Sequence, residues 1–115
     1  MHNWKDYIFE SDIIKTPEFK SFARAFKKFI KHNLPAHSEL VTFDTGHFYV
    51  SGFILNRETS QYVYFCTTDV RHFPGEWYKN LLVRSAKDSQ DFRGGNNNYT
   101  DLTHFKESVE RLSIQ

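Results

Sequence analysis

The sequence predicts a small α+β domain in which about four antiparallel strands form a sheet, flanked by an N-terminal amphipathic helix and a C-terminal helix. Apolar residues follow a helical period over about 17–33, a strand-like alternation over much of 39–86, and a helical period again near the end. The 115 residues predict one domain, residues 1–115, because a chain of this length has no room for a second core.

The first helix is predicted over about 17–33. Thr16 is a favourable N-cap, Pro17 suits the first helical position, and Asn33 with Pro35 would end the helix. The expected apolar stripe consists of Phe19, Phe22, Ala23, Phe26 and Ile30. This spacing is typical of a helix that buries one side against a core.

The middle of the chain predicts strands and turns. The expected strands are 39–43, 47–55, 61–67 and 80–86. Asp44-Thr45-Gly46 and the polar residues 56–60 indicate hairpin turns, and Gly52 is a candidate β-bulge. Asn98 or Thr100 is the expected cap of the last helix. That helix would place Leu102, Phe105, Val109 and Leu112 on one side.

Charge and cysteine content exclude some classes of protein. The 15 bases nearly balance the 14 acids, so net charge indicates no partner, although residues 1–34 hold seven bases and four acids. The single cysteine, Cys66, excludes an intramolecular disulfide. The start resembles no secretory signal, and no apolar run has the length that a bilayer requires. We therefore expect a soluble, cytoplasmic protein without a membrane partner.

Bases fill one side of the predicted first helix. They are Lys20, Arg24, Lys27 and Lys31, with Lys28 beside them, and no acid lies between Phe19 and Lys31. The pattern fits an ordinary solvated face. However, such faces usually mix both signs, because like charges one turn apart repel. A phosphate backbone or an acidic protein patch would relieve that repulsion, so the alternative is a binding surface.

A loop near the C-terminus is rich in glycine and asparagine. Gly94, Gly95, Asn96, Asn97 and Asn98 tolerate left-handed backbone and can expose successive N–H groups as a nest for an anion or a base edge. Lys87 and Arg93 lie nearby, whereas Asp88 and Asp91 would repel an anion. The loop matches neither a Walker A nor a GxGxxG pattern. The alternative is a surface loop whose amides make local turns.

The weak catalytic candidates are Asp69, His72 and Arg84. Asp69 could orient the His72 imidazole for proton transfer while Arg84 or Arg71 holds a phosphate. The structural alternative is that Asp69 caps a turn and His72 is exposed. The six histidines are scattered without a ligand motif, so the sequence predicts no metal site and no cofactor. A buried, inert thiol is the favoured reading of Cys66.

Aromatic residues make up 17% of the chain. Most of those at alternate strand positions are expected in the core. Exposed rings could instead stack bases, as in RNA-binding sheets, or join two copies of the chain as a homodimer.

The stretches HFYVSGFI, YVYFCTTDVR, EWYKNLLVRSAKDSQDF and GGNNNY make the chain similar to small proteins of bacterial phages and mobile elements. Some of these resemble inhibitors of host defence, including anti-CRISPR proteins that block a Cas nuclease or its guide RNA. The resemblance spans about 18–112, carries no functional residue, and implies a binding protein.

Together these patterns predict a non-enzymatic inhibitor that occludes nucleic acid or a nucleoprotein. The basic helix and the Gly-Asn loop would form one docking surface. The alternatives are a small phosphodiester- or nucleotide-processing enzyme and a dimeric structural protein.

Overall fold

The computed structural model describes residues 19–46, 49–67, 81–93, 95–101 and 103–114, without the side chains of 19–22. Its elements are α1 (Phe19–His32), β1 (Ser38–Thr45), β2 (Val50–Asn56), β3 (Gln61–Thr67), β4 (Leu81–Ala86), β5 (Asn98–Thr100) and α2 (Phe105–Ser113). Neither helix is both long and apolar enough to cross a bilayer.

The sheet is antiparallel throughout, and its five strands lie in the order β1-β2-β3-β4-β5. This meander, which α1 precedes and α2 follows in the chain, confirms the predicted α+β fold, with five strands rather than four. The polar residues 56–60 form the predicted hairpin turn. The Asn56 side chain organises it by accepting hydrogen bonds from the backbone N–H groups of Glu58 and Thr59.

The additional strand changes the predicted start of the last helix. Thr100 pairs with Leu81, and Asn98 pairs with Val83, so both belong to β5 and neither caps a helix. Helix α2 begins at Phe105. The Asp101 carboxylate instead accepts a hydrogen bond from the backbone N–H of His104 at 2.9 Å.

The predicted bulge at Gly52 is also corrected. The register shift lies in the opposite strand, between Leu40 and Thr42, while Gly52 pairs regularly with Phe43. Gly52 allows β2 to pack closely against Thr42 and Phe65. A Cβ there would come 2.2 Å from the carbonyl oxygen of Thr42 and 2.8 Å from the Phe65 ring. The glycine permits this approach between strand and core.

The sheet has two different faces because side chains alternate along each strand. Both helices pack on one of them, here called the helix face. Phe65 of β3 contacts Phe26 of α1 and Phe105 of α2, with ring centroids 6.5 Å and 6.2 Å away. Phe29 joins the helices through a 6.1 Å contact with Phe105. Phe29 is 6% exposed, so the buried side of α1 is wider than the predicted stripe.

The opposite side of the sheet, here called the open face, carries no helix among the described residues. The strand register places on it the side chains of Glu39, Asp44, Ser51, Phe53, Leu55, Tyr62, Tyr64, Cys66, Leu82, Arg84, Ala86 and Tyr99. Most are half-buried or buried, whereas Tyr99 is 59% exposed.

Candidate nucleic-acid interface

The solvent side of α1 is basic. Arg24, Lys27, Lys28 and Lys31 are all exposed, while Phe26 and Ile30 are fully buried on the other side. At about 100° per residue these four bases share an arc of about 100°. The helix backbone includes Lys20, but its side chain lies outside the described part. The structure therefore gathers four of the five predicted bases on one exposed surface.

No acidic residue lies within α1, and its last turn carries Lys31 and His32. The helix macrodipole stabilises positive charge at a helix C-terminus. This lowers the free-energy cost of placing like charges close together there. A cation–π contact further stabilises the charge of Lys27, because its Nζ lies 5.8 Å from the centroid of the Phe43 ring. The ion pairs Arg57–Glu39 and His37–Glu58 lie outside this helix.

The apolar side of α1 is used by the core. Ala23, Phe26, Phe29 and Ile30 pack in the main hydrophobic cluster beneath the helix. A helix that lies in a membrane interface needs its apolar side for the lipid. Since that side is occupied, α1 can present only its basic side to a partner.

The loop after β4 is organised by its own carboxylates. Asp91 accepts hydrogen bonds from the backbone N–H of Lys87 at 2.9 Å and of Arg93 at 3.1 Å. Asp88 accepts one from the backbone N–H of Gln90 at 2.8 Å. These acids fix turns, a role that short polar side chains commonly have in loops.

The same loop is anchored to the open face. Phe92 packs on Phe53 and Tyr64, with ring centroids 5.3 Å and 5.9 Å away and the rings near perpendicular. The Arg84 guanidinium donates hydrogen bonds to the carbonyl oxygen of Phe92 and to Oδ1 of Asn97. Phe92 nevertheless stays 58% exposed. The loop is thus held in place while it presents a ring to solvent.

Some amide groups of the predicted anion-binding nest make hydrogen bonds within the protein. The backbone N–H of Gly95 donates to the carbonyl oxygen of Ser85 at 3.0 Å and so joins the loop to β4. Asn98 donates through its side-chain amide to the carbonyl oxygen of Asn96. Gly94 lies outside the described residues. The Gly95 N–H is therefore not free for an anion.

The basic helix and the Gly-Asn loop lie on opposite sides of the sheet. Phe26 of α1 contacts Phe65 on the helix face, whereas Phe92 of the loop contacts Phe53 and Tyr64 on the open face. The prediction of one joint docking surface is therefore wrong. The two features can bind a partner only as separate surfaces.

Of the weak catalytic candidates, the structure describes only Arg84. Asp69, Arg71, His72 and His47 lie outside the described residues. Arg84 has a structural environment: its guanidinium carbon lies 4.5 Å from the centroid of the Tyr64 ring. Within the described ranges no three His, Cys, Asp or Glu side chains cluster as a metal site requires.

The open face also holds the cysteine. Burial raises the pKa of the Cys66 thiol, which therefore stays protonated and weakly nucleophilic at neutral pH. Its Sγ lies 3.1 Å from the carbonyl oxygen of Thr67. The thiol is half-buried rather than fully buried as the sequence predicts, and its raised pKa favours the expected low reactivity.

A small cavity of about 360 Å³ lies at one end of β4. Its lining includes Gln61, Ser85, Lys87 and Asp91. Because its two charged residues have opposite signs, the cavity has no preference for an anion. The exposed side of α1 remains the stronger candidate site.

No protein-family model, curated protein or solved structure matches this chain. The candidate interface therefore rests on the chain's own residues.

Proposed function

We propose that this protein is a non-enzymatic binding module that engages nucleic acid, alone or in a nucleoprotein, through the basic side of α1. The observation that carries the proposal is the set of four exposed bases, Arg24, Lys27, Lys28 and Lys31, on a helix without an acid. Neutralised phosphates release their counterions, and this release would drive the association.

The spacing of the bases favours a polyanion over a small anion. Arg24 to Lys31 spans about 10 Å along the helix axis at 1.5 Å per residue. Four charges over this length give about one per 3 Å, comparable to the one phosphate that each DNA strand contributes per about 3.4 Å of duplex axis. The bases lie on a convex helix surface, which suits a strand better than an enclosed phosphate. A phosphate backbone is the ligand that matches this surface.

The mechanism that follows is occlusion. A bound strand would be covered by the Arg and Lys side chains of α1 and left uncut. An anti-CRISPR inhibitor is a particular form of this proposal, in which the covered strand is the guide RNA or the target DNA of a Cas nuclease. Addition of the protein to a guide-loaded nuclease would then reduce cleavage of its target.

The direct test neutralises Lys27, Lys28 and Lys31 with glutamine, which keeps helix propensity and removes the charge. We expect at least about tenfold weaker binding to a short DNA duplex at low salt. The matched control is Lys106→Gln with Arg111→Gln on α2, where Glu107 and Glu110 already balance both bases. The control should bind like the wild type.

Equal binding by the lysine variant and the control would contradict the role of α1. Loss of binding in both variants would show a general effect of charge rather than a site. Circular dichroism of both variants checks that the fold is retained.

A further inference from the structure

The basic side of α1 is wide as well as long. Lys27 and Lys28 are consecutive and exposed, so their side chains leave the helix about 100° apart. The exposed Arg24 and Lys31 project between them. An extended lysine holds its ammonium group about 8 Å from the helix axis, so the ammonium groups of Lys27 and Lys28 can lie about 12 Å apart. The charges therefore form a band rather than a single line.

Lys27 marks the edge of this band that lies nearest to β1. Its Nζ is 5.8 Å from the centroid of the Phe43 ring, which is half-buried. Phe29, two residues further on, packs against Phe105 of α2 with ring centroids 6.1 Å apart. Because successive residues rotate around the helix, Lys28 projects between the β1 side and the α2 side. The two lysines thus define the two edges of the band.

The described part of β1 places no carboxylate beside Lys27. Phe43 lies on the helix face, whereas the two acids of β1, Glu39 and Asp44, lie on the open face. Glu39 is in addition paired with Arg57. On the β1 side of α1, a phosphate bound to Lys27 would therefore meet the Phe43 ring and no acid of that strand.

A single strand and a duplex would use this width differently. A single strand presents one row of phosphates, whereas the two strands of a duplex border each groove with a row on either side. The major groove of B-form DNA is about 12 Å wide and admits an α-helix. This width is close to the separation that the ammonium groups of Lys27 and Lys28 can reach. The major groove of double-stranded RNA is deep and too narrow for side chains to read.

We propose that α1 binds in the major groove of duplex DNA, with Lys27 on the phosphates of one strand and Lys28 on those of the other. This inference rests on the proposed function and specifies its ligand as double-stranded DNA. Arg24 and Lys31 would then face the groove between the strands. Arginine and lysine side chains in that position can also donate hydrogen bonds to guanine.

A comparison of three ligands with one base sequence tests the proposal: a DNA duplex, a single DNA strand and an RNA duplex. At about 0.1 M salt we expect the DNA duplex to bind at least about tenfold more tightly than either of the others. Equal or tighter binding of the single strand would overturn the duplex, and equal or tighter binding of the RNA duplex would overturn the major groove. In both cases the proposed function would still hold. No binding to any of the three would contradict the proposed function itself.

Single substitutions test the contact with two strands. Lys27→Gln and Lys28→Gln should each weaken binding to the DNA duplex about five- to tenfold. Each should weaken binding to the single strand no more than about twofold, because one row of phosphates can move to the remaining lysine. The matched control is Lys106→Gln, which changes an exposed lysine of α2 and should alter neither affinity. Equal losses on both DNA forms, or no loss on the duplex, would overturn the two-strand contact.

Discussion

The guanidinium of Arg84 lies over the ring of Tyr64, with its Cζ 4.5 Å from the ring centroid. The same side chain donates hydrogen bonds to the carbonyl oxygen of Phe92 and to Asn97. One residue of β4 therefore connects β3 to the loop that carries Phe92. The loop's position on the open face depends on this connection.

Replacing Arg84 with methionine should loosen the loop. Loss of the cation–π contact and two hydrogen bonds should lower the free energy of unfolding by about 1–3 kcal/mol. Hydrogen exchange of the Gly95 amide should accelerate more than that of amides in β2. Arg93→Met is the control and should leave both quantities near wild type. Unchanged exchange at Gly95 in Arg84→Met would contradict the anchoring role.

Gly52→Ala should be one of the costliest single-methyl changes in this chain. The added Cβ would lie 2.2 Å from a backbone oxygen of Thr42, and backbone cannot move aside cheaply. Overpacking of this kind costs about 1–3 kcal/mol or more. Gly95→Ala is a matched comparison, since its Cβ would meet the Ser85 hydroxyl at 2.6 Å, which can rotate away. Urea unfolding should rank Gly52→Ala as clearly less stable.

The hydrogen bond between Ser108 and Thr100 joins α2 to β5. The Ser108 hydroxyl donates to Thr100 Oγ1 at 2.9 Å, and both residues are buried. Ser108→Ala should cost about 1–3 kcal/mol, because it leaves a buried hydroxyl without its partner. Adding Thr100→Val removes the orphaned group and should recover part of that loss. Additive losses in the double variant, measured by urea unfolding, would show that the bond contributes nothing.

We expect the protein to lose stability at alkaline pH because Tyr64 ionises there. Burial, with a further effect from Cys66, raises the pKa of Tyr64 from 10.0 to about 12. The folded state therefore holds this proton more tightly than the unfolded state. The resulting stabilisation is complete below pH 10 and is lost as the pH rises through about 12. Urea unfolding across this range should show a steeper decline for the wild type than for Tyr64→Phe. Parallel curves would contradict the assignment, and Tyr99→Phe is the control.

The sequence predicts correctly those features of the fold that depend on a single helix or strand. The periodic residues of α1 predict its position and its basic side, because both depend only on helix geometry. Phe29 was missed because the width of the buried arc depends on α2, whose Phe105 packs against it. A period within one helix contains no information about a second helix.

The last strand and the loop were harder to predict for a related reason. Asn98–Thr100 has three residues and no apolar alternation, so it becomes a strand only through pairing with β4. The loop's side of the sheet is decided by Phe92 meeting Phe53 and Tyr64, which are distant in sequence. Because of these long-range contacts, the basic helix and the Gly-Asn loop lie on opposite sides of the sheet and not on one surface, as the sequence predicts.

The salt dependence of DNA binding tests the central claim about α1 most directly. The slope of log affinity against log salt concentration should be negative for the wild type. It should become shallower by about 3 in the Lys27, Lys28 and Lys31 to glutamine variant, since each lost phosphate contact contributes about 0.9. A wild-type slope near zero, or equal slopes for both proteins, would contradict the claim that α1 binds a phosphate backbone.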